Sequence, residues 1–184
     1  MALFLSKGDN RRPAKPPTAP DSAPRPAPAN ALAWTCVLAP GGVPDPAVPR
    51  RLAELAVASN GKDPSWQGTL GLALYRCGKD KEAITHLEEA VKLAAAPWTP
   101  WDCINEALAG LRGAPEDRFV LAMAHARLGH KKEAEEWLRK GVALIDAKLK
   151  APGREYGPRL GWQQKLEWQW LREEAEAAIK EGKR

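Results

Sequence analysis

Leu70–Leu93 reads LGLALYRCGKDKEAITHLEEAVKL, and Leu121–Leu144 reads LAMAHARLGHKKEAEEWLRKGVAL. Laid over each other without gaps, these 24-residue windows, 51 residues apart, agree at ten positions. Self-similarity of this kind marks a chain built from stacked structural units. Each window divides into two helices at a glycine. Leu70, Leu74 and Cys77 keep helical spacing up to Gly78, where a positive φ is cheap and a helix can stop. After Asp80, an expected N-cap, the residues Ala83, Ile84, Leu87, Ala90 and Val91 form one apolar stripe. The second window repeats this with Leu121, His125, Gly129, Ala134, Leu138, Gly141, Val142 and Ile145. Gly71, Ala83 and Ala90, matched by Ala122, Ala134 and Gly141, stay small where antiparallel helices must touch.

Small–x2–large, then glycine, then alanine, a large residue and a small one resembles the tetratricopeptide repeat (TPR). Gly71, Gly78, Ala83, Leu87 and Ala90 carry that pattern, as do Ala122, Gly129, Ala134, Leu138 and Gly141. The resemblance implies an all-α, TPR-like α-solenoid. Its units run over about 30–63, 64–97 and 115–148, with an insert at 98–114. A capping helix at about 162–182 closes the array, with Trp168, Leu171, Ala175 and Ala178 as its inner stripe.

Outside the windows the chain is readable by composition. Residues 1–29 hold seven of the 17 prolines and form an expected disordered, Pro/Ala-rich tail. Asn30 is placed to cap a helix over ALAWTCVLA, and Asp45 a second one with Pro46 and Pro49 in its first turn. The words AWTCVLAPG and PDPAVPRRLAELAV resemble the helical-repeat region that follows the kinase domain of large bacterial serine/threonine kinases. That resemblance spans Ala33 to Ala178, apart from a portion of the insert. In the insert Asp102 is placed to cap a short helix, and Trp98 and Trp101 are expected to pack on their own domain.

Charge and cysteine content narrow the function. Three of the five net positive charges lie in the tail, so the folded surface is nearly balanced and unlike a dedicated nucleic-acid binder. Cys36, Cys77 and Cys103 form no redox or metal motif and read as buried, reduced thiols of a cytoplasmic protein. No stretch is long and apolar enough for a membrane span. There is no phosphate loop, GxSxG, HExxH or CxxC, and no kinase motif. His125 and His130 are five residues apart, wrong for one helix face, and the Glu pairs have cations at i+4. The reading is therefore of no enzyme, no catalytic residues, no cofactor and no metal.

What remains is a surface. The resemblance implies that first helices line a concave face, which here carries Leu72, Tyr75, Arg76, Phe119, Met123 and Arg127. The arginine recurs at one slot and suits a carboxylate. The expected function is a protein–protein interaction module holding a peptide or protein segment, acidic ones included. The alternative is a detached or regulatory repeat region of a bacterial serine/threonine kinase signalling protein. On this reading, Arg76 and Arg127 are replaceable without loss of stability.

Overall fold

A computed structural model describes residues 25–95, 113–150 and 161–182. Those residues form seven α-helices and no strand. They are α1 (Pro26–Val37), α2 (Ala47–Ser59), α3 (Pro64–Arg76), α4 (Asp80–Ala95), α5 (Pro115–Arg127), α6 (Lys131–Lys150) and α7 (Trp162–Glu181). The expected insert helix, Trp98, Trp101 and Cys103 lie outside the described residues.

Local chemistry accounts for most helix ends. The Asp45 carboxylate accepts from the Ala47 N–H at 2.9 Å, and Asp63 accepts from the Ser65 and Trp66 N–H groups. Gly78 and Gly129 have φ of 73° and 80°, as the repeat alignment requires. At both, the N–H just beyond the glycine bonds back to the carbonyl of the helix's last full turn: Lys79 to Leu74 at 3.0 Å, His130 to His125 at 2.9 Å. Two ends differ from expectation. The first helix begins at Pro26 and not after Asn30, because Pro26 and Pro28 lie in the first turn, where no helical donor is lost. Ala29 is buried there, so the folded domain starts inside the expected tail. Asp80 lies within α4, and its carboxylate is turned to Arg127 instead of capping.

The helices pack as three antiparallel pairs, α1–α2, α3–α4 and α5–α6. The first helices also contact one another, α1 with α3 and α3 with α5. Among the described residues the second helices have no comparable contact, so the stack is tighter on the first-helix side, which becomes its inner layer. The small residues set this spacing. Ala83, Ala90, Ala122 and Ala134 are fully buried, and a Cβ at Gly71 or Gly141 would collide with Leu87 or Phe119. We expect Ala83→Leu to lower the unfolding free energy by about 1–3 kcal/mol, since the added methylenes must force a packed helix pair open. A surface change such as Glu88→Gln should stay within about 0.5 kcal/mol in the same urea titration.

In α7, Trp168, Leu171 and Ala175 are buried as expected, and Ile179, not Ala178, completes the stripe. Cys36 and Cys77 are free thiols, but both are half-exposed, which corrects the expectation of burial. Each lies near a helix C-terminus beside the α1–α2 connection, Cys36 lining the pocket there and Cys77 donating from its thiol to the Pro46 carbonyl.

Candidate functional site: the inner-layer arginine cluster

α3 and α5 run side by side in the inner layer, and the common repeat register brings their last residues, Arg76 and Arg127, to the same end. Both line one pocket of about 400 Å³ with Val37, Pro40, Pro46 and Glu174. Tyr75 lies between the two cations. The Arg127 guanidinium carbon stands 3.8 Å from the Tyr75 ring centroid, and that of Arg76 stands at 5.5 Å. Burial pushes the Tyr75 phenol upward, opposed by the neighbouring Arg127 charge.

Each arginine is held by specific acceptors. Arg76 donates from Nε to the Val37 carbonyl at 2.9 Å and from Nη2 to the Leu38 carbonyl at 3.0 Å. Its other edge forms a bidentate pair with the Glu174 carboxylate of α7, with Nη2–Oε2 at 2.8 Å. Arg127 donates from Nη1 to the Tyr75 carbonyl at 3.0 Å and to Asp80 Oδ1 at 2.9 Å. One guanidinium therefore closes the end of α1 against α3 and α7, and the other joins the α3–α4 turn to α5. Their exposures differ. The Arg76 side chain is 10% exposed and that of Arg127 is 44% exposed, so Arg127 offers solvent the freer donors.

The other residues expected on this face are elsewhere. Leu72, Phe119 and Met123 have no exposed surface, and Tyr75 is buried. Phe119 faces across its own helix pair to Gly141 of α6. These four hold the layers together, because the inner layer's close helix contacts and the covering α7 leave them no free surface. The stability expectation for the arginines changes as well, since both bridge elements far apart in sequence. Glu174 and Asp80 are the site residues that sequence reasoning missed. Glu174 lies three residues beyond Leu171 on the amphipathic α7, yet nothing local links it to Arg76, 98 positions away.

A second polar cluster fixes the start of α5. Glu116 Oε1 accepts from the Trp168 indole N–H at 2.7 Å, tying α7 to α5. Burial raises the Glu116 carboxyl, and raises that of Asp117 well above its ordinary value. A carboxyl whose pKa is raised on folding binds its proton more tightly in the native state. Its contribution to stability is full below the unfolded pKa and is lost as pH rises through the native one. We therefore expect Asp117→Asn to flatten the pH dependence. Thermal melts should show the variant gaining on wild type as pH rises from acid toward neutral; a constant difference would count against the burial cause.

His125 and His130, set aside on helical spacing, meet across the Gly129 turn with Nδ1 atoms 3.2 Å apart. Among the described residues no group of three or more His, Cys, Asp or Glu is placed to hold a metal ion. No described helix is long and apolar enough to cross a membrane.

Residues 65–96 and 118–147 each match a family model described as tetratricopeptide repeat. Both segments are similar to tetratricopeptide units. They coincide with the α3–α4 and α5–α6 pairs, and support the tetratricopeptide repeat family and its helical-repeat fold. No curated protein and no solved structure matches the chain. Tetratricopeptide units point to a protein–protein interaction module, generally a non-catalytic scaffold.

Proposed function

We propose that the protein binds an extended or helical segment of a partner protein on its inner layer, with Arg127 and Arg76 reading acidic groups and Tyr75 as the platform beneath them. The observation that carries this reading is the convergence of the repeated arginine into one open pocket beside the α1–α2 connection. A planar fork of donors on an aromatic face is well matched to a carboxylate, and cation–π contact pre-orients it. The partner is protein rather than nucleic acid, since each arginine already has a carboxylate neighbour and the cluster carries no net positive charge. A cytoplasmic setting is the compartment in which the half-exposed thiols stay reduced.

The resemblance of AWTCVLAPG and PDPAVPRRLAELAV supplies a narrower context, the detached or regulatory repeat region of a bacterial serine/threonine kinase signalling protein, without kinase activity of its own. Capture of a partner from native lysate, followed by titration against Arg127→Ala, tests the binding reading. Loss of one charge-assisted contact should weaken the partner by about tenfold, with raised salt weakening it further. A partner that binds the folded variant as tightly as wild type overturns it.

A further inference from the structure

The position of α7 departs from the rule that places the other helices. α3 packs more on α2 than on α1, and α5 more on α4 than on α3, so each new first helix leans on the preceding second helix. A plain end-cap continuing the array would lean on α6. α7 packs chiefly on α5 and less on α6. It is displaced onto the inner layer, where side chains of α5 and α3 hold it. Trp168 donates to Glu116 at the start of α5, and Glu174 pairs with Arg76 of α3, whose guanidinium also holds the Val37 and Leu38 carbonyls at the end of α1. Only one stripe of α7 is buried; Trp162 and Trp170 stand 70% and 51% exposed on its outer side.

We propose that α7 is a resident ligand of the inner layer, and that the outside partner is an acidic amphipathic helix with the same pattern. That pattern is an aromatic, an aliphatic at +3, a carboxylate at +6, a small residue at +7 and an aliphatic at +11, as in Trp168, Leu171, Glu174, Ala175 and Ile179. This rests on the inner-layer reading above and names the class of its ligand. The carboxylate gives the direction and register of the helix, because Arg76 already has two of its donors committed to the Val37 and Leu38 carbonyls and presents the remaining edge to one anionic group. Competition follows from linkage. A tethered helix acts at high effective concentration, so the free partner's apparent affinity is reduced by the fraction of molecules in which α7 is away.

The test uses the full chain and a fluorescein-labelled synthetic peptide of residues 161–184. The peptide should bind the Glu174→Lys chain about tenfold or more tightly than wild type, because the resident helix loses its anchor while Arg76 stays free. Changing Arg76→Glu in that chain should abolish the gain, because the peptide's Glu174 then meets a like charge while the charge-reversed resident helix is anchored again. Equal binding to wild type and Glu174→Lys overturns the proposal. Hydrogen exchange on wild type supplies an independent arm should the variants unfold. Amides of α7 should open separately from those of α3–α6; if they exchange only with global unfolding, α7 is a permanent element of the core and the proposal fails. Partner loss in Arg127→Ala alongside a locked α7 would sink this inference while leaving the binding reading intact.

Discussion

Phe119→Ala lowers the unfolding free energy by about 3–5 kcal/mol, the range for deleting a buried aromatic side chain together with the cavity it leaves. The ring is completely buried and lies against the Cα of Gly141, where a Cβ on that glycine would strike it. No side chain on α6 at that point can move in to fill the space. At roughly 2–4 °C per kcal/mol for a domain of this size, the thermal midpoint should fall by about 10 °C. Phe119→Leu, which keeps much of the volume, should cost less than about 1.5 kcal/mol. The experiment separates two pictures of the same residue. A phenylalanine waiting on a binding face would leave the melt unchanged and lose affinity. A core phenylalanine loses stability first.

Arg76→Ala is the second large effect. Removing one partner of a buried ion pair costs about 3–5 kcal/mol, and with the Glu174 side chain 24% exposed we expect about 2–3 kcal/mol. The loss has two sources: two carbonyls at the end of α1 without their guanidinium donor, and a Glu174 carboxylate without its cation. Arg76→Lys should recover little, because an ammonium has no planar fork to serve three acceptor groups on two elements. A double-mutant cycle with Glu174→Gln, measured by urea unfolding, isolates the pair; a coupling near zero would show that the carbonyl bonds carry the effect. Arg127→Ala should cost less. Its side chain is 44% exposed, and water can replace some of what it gives up.

The inner layer is not a bare groove. α7 covers a portion of it with Trp168, Leu171, Ala175 and Ile179, and leaves Arg127 and the pocket beside the α1–α2 connection open. Stability and binding are therefore coupled at Arg76, which serves the fold, more than at Arg127, which faces solvent. A mutational survey that treats the two arginines as equivalent would confuse the two roles.

By itself the sequence determined the repeat, the pairing of helices around Gly78 and Gly129, and the small residues at Gly71, Ala83, Ala90, Ala122, Ala134 and Gly141. These follow from short-range rules: helical periodicity, the conformational freedom of glycine at a positive φ, and the closeness of helices joined by a tight turn. Only the tertiary structure decided that Leu72, Phe119 and Met123 are interior, that Asp80 serves Arg127, and that α7 lies on the inner layer. An inner helix in a stack has neighbours on several sides, so its burial depends on the rotation and spacing of the whole array and not on one apolar stripe. Nor does local pattern specify an ion pair such as Arg76–Glu174, because its partners are 98 residues apart and are brought together only when the last helix docks.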